Sequence, residues 1–267
     1  MNYRHAFHAG NFADVAKHLA LVAILQHLSI KSAGFAVIDT HAGAGSYDLD
    51  GGPARRTGEA EAGVKRLGLG DGNAALKTYL ALARGGARYP GSPLIAAKML
   101  RPQDRLVAIE KHPEDGAALK AELRPFLRAR VEEGDGYQRL LSLVPPPERR
   151  GLVLIDPPYE APDEFAEAAS AFAAAYRRFA TGIYMIWFPI KSAAEANGFC
   201  GEVLAAGGTK LLRVDVCLTA AAEGKLAAAG LLIVNPPWQL EAVLAEALAD
   251  VCPAMGAEAR FEMLAGA

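Results

Sequence analysis

Seven short runs dense in Val, Ile and Leu, each closed by a turn signal, constrain this chain more than any other feature. They cover residues 34–39, 105–110, 130–134, 151–156, 181–188, 210–218 and 230–235. Ala-rich segments such as 164–179 separate most of them, with the length and content of crossover helices. An α/β fold with a seven-stranded, mainly parallel sheet is therefore expected. Residues 219–229 are too few for a crossover helix, so the last two strands are expected to form a C-terminal antiparallel hairpin at the sheet edge.

An arm and a helix precede the first strand within residues 1–30. Asn11 followed by Asp14 matches an N-cap with an acidic first turn, and residues 15–30 keep helical apolar spacing. The stretch from about 57 to 89, broken at 68–72 and at Gly85-Gly86, is expected to be a small helical insertion in a single domain spanning 1–267. With 52% hydrophobic and 22% charged residues among 267, the composition suits a folded globular chain and excludes a disordered one. Cys200, Cys217 and Cys252 are too few and too scattered for a disulfide framework. The apolar run 19–28 is too short to span a bilayer, so a cytoplasmic protein is expected. A formal charge of -2 means that any nucleic-acid partner must be gripped by a local basic surface, with Arg149-Arg150 and Arg177-Arg178 among the candidates.

The first strand runs from Asp39 directly into Thr40-His41-Ala42-Gly43-Ala44-Gly45, where glycines let the backbone turn sharply and approach a ligand. A dinucleotide-binding loop would carry a third glycine where Asp48 stands, and a pyrophosphate would there meet a carboxylate. S-adenosylmethionine has no phosphate and is cationic at sulfur, so the loop suits it better. Glu110 ends the next strand, placed to bond ribose hydroxyls, and Asp135-Gly136 end the third, placed to accept from an adenine amine. The usual loop-to-acid separation is about 20 residues; the insertion accounts for the longer one here. A doubly wound sheet of this kind is the Rossmann-like architecture of class I methyltransferases, a parallel drawn at the level of fold.

The strand 151–155 ends in Asp156-Pro157-Pro158-Tyr159. An exocyclic purine amine is a weak nucleophile, because its lone pair is delocalised into the ring. Hydrogen bonds to Asp156 and to the Pro157 carbonyl would draw its nitrogen toward tetrahedral geometry and aim the lone pair at a methyl donor. Two prolines fix the backbone, and Tyr159 offers a stacking surface for a base swung out of its helix. Asn235-Pro236-Pro237-Trp238 is a near duplicate. It ends the last strand of the expected hairpin, so an architectural role is assigned to it and catalysis to Asp156.

Taken together, these blocks resemble the bacterial RlmJ family of 23S ribosomal RNA adenine-N6 methyltransferases. The likeness extends to residues 3–11, Asp14, Lys17-His18 and Tyr89-Pro90-Gly91-Ser92-Pro93. The resemblance implies cofactor contacts from His18, His41, Ser92, Glu110, Asp135 and Gly136, catalysis by Asp156, an N-terminal arm over the active site, and a monomer acting on an adenine of 23S rRNA. Tyr3, His5, Lys17, Pro157 and Tyr159 are the expected substrate-binding residues. His5, His8, Lys17 and His18 lack the ligand spacing of a zinc site, so no metal is expected. The arm instead reads as a cationic, aromatic RNA grip. Competing acceptors for the same loop are a DNA adenine, a guanine N2 or a glutamine amide, and a non-catalytic RNA-binding domain is the competitor outside enzymology.

Overall fold

A computed structural model describes residues 4–68, 72–207, 210–220 and 225–265. A 3-10 turn at His5–Phe7 leads into α1 (Phe12–Ile30), which starts where Asn11 accepts a hydrogen bond from the Asp14 N–H at 2.9 Å. That oxygen satisfies one of the unpaired N–H groups that any helix start leaves. By length and composition α1 is apolar enough to cross a membrane, longer than the sequence pattern suggested. Its residues from Phe12 to Leu25 are nevertheless all buried in the protein core.

The first strand, β1 (Ala36–Asp39), is followed by β2 (Ser46–Tyr47), α2 (Gly52–Thr57), α3 (Glu59–Ala62), α4 (Ala74–Arg84), β3 (Tyr89–Pro90) and α5 (Ser92–Met99). The expected helical insertion thus contains α3 and α4. Around it, α2 and the small antiparallel pair of β2 with β3 extend the excursion on both sides. Strand–helix units follow: β4 (Arg105–Glu110), α6 (Pro113–Leu123), β5 (Ala129–Glu133), α7 (Gly136–Leu143), β6 (Gly151–Ile155), α8 (Glu164–Arg178), β7 (Ile183–Pro189) and α9 (Ala193–Ala205). The chain finishes with β8 (Lys210–Leu218), β9 (Ala228–Val234), α10 (Leu240–Met255) and β10 (Ala257–Ala265).

The main sheet has eight strands in the order β10-β8-β9-β7-β6-β1-β4-β5. Strands β5, β4, β1, β6 and β7 run parallel, and β9 lies antiparallel to both β7 and β8. One expectation needs correction: the β8–β9 pair is not the sheet edge. Strand β10 covers β8 over nine residue pairs, from Ala257 opposite Leu218 to Ala265 opposite Lys210. Its sequence does alternate, Ala257, Ala259, Phe261 and Met263 with Glu258, Arg260 and Glu262, but it lacks the continuous apolar run that marks β1, β4, β6, β7 and β9.

Strands β1, β4, β6 and β9 are buried along nearly their whole length, as expected of strands covered on both faces. On one face of the sheet α1, α4, α5 and α10 pack around Leu19, Ile24, Leu76 and Leu244. On the other, α7, α8 and α9 pack around Phe172, Tyr184 and Phe188. All three cysteines are free thiols, and Cys200 and Cys252 are buried.

Candidate active site

The parallel strands deliver their last residues to one edge of the sheet, where a cavity of about 230 Å³ opens. Its wall contains Asp156, Pro157, Tyr159, His41, Ser92, Glu110, His5, Lys17 and His18. Nine of the twelve residues singled out from the sequence therefore converge there. Asp135 and Gly136 do not line this cavity, and Tyr3 lies outside the described residues.

Asp156 leaves β6 at the centre of the sheet, with β1 as its neighbour strand. Its Oδ2 accepts a hydrogen bond from the Lys17 ammonium at 2.7 Å, and the same ammonium lies 2.8 Å from Asp14 Oδ1. Lys17 and Asp14 sit one helical turn apart on α1, facing the same way. Both are buried, at 4% and 2% exposure. Burial works against the charge on Lys17, but the two carboxylates outweigh it and raise its pKa well above the usual lysine value. Burial likewise opposes ionisation of Asp14, and the His5 and Lys17 charges nonetheless hold its pKa well below the ordinary carboxylate range. The expectation of a cationic arm gripping RNA is corrected for Lys17: its charge is enclosed between two carboxylates. Asp14 also accepts from the Gly10 N–H and pairs with His5 Nε2, each at 2.9 Å, which ties the arm to the same cluster.

The Tyr159 ring is 8% exposed, its hydroxyl donating to the Trp187 carbonyl at 2.8 Å and its ring tilted against Phe165 and Trp187. It is a packed wall of the cavity, not the free stacking platform expected. Its φ of 50° is a left-handed conformation that is uncommon for a residue with a Cβ and costly to hold, the kind of strain that clusters at functional sites. Trp187, Pro189 and Lys191 share the wall and were missed from the sequence. The signal was available, because residues 187, 189 and 191 alternate along one strand and its extension.

On the β1–β4 side, Asp39 Oδ2 accepts from the Ser92 hydroxyl at 2.7 Å, and Asp39 Oδ1 is buried with no partner. Burial pushes its pKa up to about 7, only partly offset by Ser92. The Glu110 carboxylate accepts from the Gly43 N–H at 2.8 Å and from the His112 N–H at 2.7 Å, fixing it against the glycine loop. His18 is buried beneath the site, with Nδ1 2.8 Å from the Tyr89 hydroxyl, and burial lowers its pKa to about 3. Burial lowers that of His41 to about 4, so at neutral pH both are uncharged imidazoles. Asp135 caps α7, accepting from the N–H groups of Tyr137 and Gln138 and pairing with Lys111 at 3.1 Å. A Cβ at Gly136 would lie 2.0 Å from the Thr40 carbonyl oxygen, so only glycine fits between this helix and the loop.

An adenosine-bearing sulfonium cofactor fits these residues. Among the described residues three buried polar side-chain atoms lack a partner, namely Asp39 Oδ1, His112 Nδ1 and the Tyr137 hydroxyl. All three belong to residues at or just beyond the strand ends of this edge, and His112 lines the cavity itself, so unmet polar bonds gather where a polar ligand would be held. Asp39 Oδ1 suits a cationic group, and the uncharged imidazoles add no repulsion toward a sulfonium.

The look-alike motif lies elsewhere. Because β9 is antiparallel to β7, with Val234 opposite Tyr184, Asn235 emerges at the opposite edge of the sheet from Asp156. Its side-chain amide donates to the carbonyls of Ala180 and Gly182 at 2.8 and 2.7 Å. This amide staples two loops together, as architecture would require.

A mainly parallel sheet in this order, with a glycine loop after β1 and an acidic-Pro-Pro-aromatic loop after β6, defines a class I methyltransferase. The family model described as "Ribosomal RNA large subunit methyltransferase D, RlmJ" matches residues 32–261. The chain belongs to the RlmJ family. It is 41% identical over 249 residues to Ribosomal RNA large subunit methyltransferase J of Escherichia coli K12, covering 90% of this chain and 89% of that protein. The Haemophilus influenzae protein of the same name is 39% identical over 257 residues, covering 93% and 92% respectively. Among solved structures, protein LPL1258 of Legionella pneumophila superposes with a TM-score of 0.83 at 31% identity, over 97% of this chain and 99% of that one. A probable spermidine synthase of Corynebacterium glutamicum, at 12% identity and a TM-score of 0.52 over 97% of this chain and 77% of that one, shares the fold.

Proposed function

We propose that this chain transfers a methyl group from S-adenosylmethionine to the exocyclic N6 amine of an adenine in 23S ribosomal RNA. It does so as a cytoplasmic monomer, through one domain spanning residues 1–267, without a metal. The observation that carries this reading is the Lys17–Asp156 pair at the cavity wall, 2.7 Å apart and followed by Pro157. Lys17 occupies Oδ2 of Asp156, which leaves Oδ1 to accept from an amine. The Pro157 carbonyl offers a second acceptor, so the amine nitrogen is held by two bonds whose geometry exposes its lone pair.

The cofactor supplies an electrophilic methyl group on a sulfonium. Asp39, Ser92, His18, His41 and Glu110 would hold it along the β1–β4 side of the cavity, with Asp135 and Gly136 bounding its adenine end. Glu110 would present its remaining lone pairs to ribose hydroxyls. Lys17, held between two carboxylates, acts as a fixed cation that aims Asp156 and not as a base. Asp156 takes the proton as positive charge develops on the amine. Tyr159 walls the base in, and His5 of the arm lies over it.

Mapping methylated nucleosides in 23S rRNA from cells with and without the gene tests the proposal. One N6-methyladenosine should vanish from the deletion strain and return on complementation. Loss of a different nucleoside, or of none, would refute it.

A further inference from the structure

RNA must bring a phosphate to a site whose wall is acidic: Asp14, Glu110, Asp115 and Asp156 all line the cavity. Lys17 and Lys191 are the Lys or Arg residues on that wall, and the charge of Lys17 is committed to Asp14 and Asp156. Arg4, which lines a neighbouring pocket sharing His5, Tyr47 and Asp115 with this one, is likewise committed, to Glu114 and Asp115. With a net charge of -2 the molecule offers no bulk attraction in compensation.

Lys191 differs from these cations. It is exposed, two residues beyond the end of β7, and makes no hydrogen bond or ion pair among the described residues. Its place in the sheet is also informative. The groups suited to the cofactor come from β1, β4 and the start of α5, whereas β6 and β7 carry Asp156, Tyr159, Trp187, Pro189 and then Lys191. In the order β7-β6-β1-β4 that puts Lys191 beyond the catalytic loop, on the half of the cavity away from the glycine loop.

We propose that Lys191 binds a backbone phosphate next to the target adenosine, supplying the counter-charge that lets a nucleotide enter this acid-lined cavity. Trp187 and Pro189 form the apolar wall beneath the same nucleotide. The assignment rests on the RNA methyltransferase reading above and names a residue that positions its substrate.

Steady-state methylation of unmodified 23S RNA by Lys191→Ala and Lys191→Arg tests it, with Lys77→Ala on α4 as an exposed control outside the cavity. Lys191→Ala should raise KM for RNA about tenfold at low salt, with kcat changed far less. Its salt dependence should be shallower than that of the wild type by roughly one phosphate contact. Lys191→Arg should restore most of the loss, and cofactor affinity measured by calorimetry should hold. KM and salt slope matching Lys77→Ala would overturn the proposal. So would weakened cofactor binding with unchanged RNA KM, which would assign Lys191 to the cofactor carboxylate. Absence of RNA methylation by the wild-type protein would instead sink the proposed function, a distinct outcome.

Discussion

Replacing Lys17 by Met removes one ammonium from between Asp14 Oδ1, 2.8 Å away, and Asp156 Oδ2, 2.7 Å away, while keeping most of the side-chain volume. Removing one partner of a buried ion pair costs about 3–5 kcal/mol, because the remaining charge stays buried without compensation. Here His5 still faces Asp14, which places the expected loss toward the lower end of that range. The pH dependence follows from the sign of the Asp14 shift. A carboxylate held below its ordinary value of 3.8 contributes stability that is present above that pH and is lost as pH falls through its lower folded value. Taking away Lys17 removes part of that contribution. The deficit of Lys17→Met should therefore be full at about pH 7, persist down to about pH 4, and shrink only below that as Asp14 protonates, so it is compared at about pH 7 and about pH 3. Urea unfolding at both pH values reads this directly, with methylation and cofactor binding measured in parallel. Methylation should fall sharply while cofactor affinity holds. Wild-type stability, or a deficit equal at both pH values, would refute the ion-pair reasoning.

Three further outcomes are expected. Asp39, with its pKa raised to about 7, contributes stability that is fully present below 3.8 and lost as pH rises through the folded value. Asp39→Asn should flatten a decline of at most about 4 kcal/mol between about pH 4 and pH 8 in the unliganded protein and weaken cofactor binding, and an unaltered slope would contradict the assignment. Gly136→Ala places a methyl 2.0 Å from the Thr40 carbonyl oxygen and should cost about 1–3 kcal/mol in thermal or urea unfolding, so wild-type stability would show that the helix can move aside. Asn235→Ala loses bonds to the Ala180 and Gly182 carbonyls and should destabilise by about 1–3 kcal/mol while keeping kcat, since that loop lies at the other edge of the sheet.

Where local patterns were strong, the sequence alone was legible. The runs that became β1, β4, β6, β7 and β9 are continuous apolar stretches ending in turn residues, and the acidic strand ends at 39, 110 and 156 announced the carboxyl edge. The last strand was missed although Ala257, Ala259, Phe261 and Met263 alternate with Glu258, Arg260 and Glu262, because it lacks the continuous apolar run of the other strands and its partner β8 lies on the far side of β9 and α10 in the chain. Lys17 misled for a physical reason. A lysine near a chain start suggests an exposed cation, and only the packing of α1 under the sheet edge reveals two carboxylates waiting for it. Asp135 was read from its strand-end position as a cofactor contact; the structure adds a second role, capping α7 through two N–H groups and pairing with Lys111, which its place before the helix also foretold. The two Pro-Pro motifs were separable once strand direction was considered, because a loop after an antiparallel strand must leave by the opposite edge.

Catalysis turns on Asp156 holding the adenine amine. Single-turnover methylation of unmodified 23S RNA, with N6-methyladenosine counted by mass spectrometry, tests this most directly in Asp156→Ala. A fall of about a hundredfold or more in the rate, with cofactor binding retained, is the expected result. A variant that still forms N6-methyladenosine at the wild-type rate would contradict it.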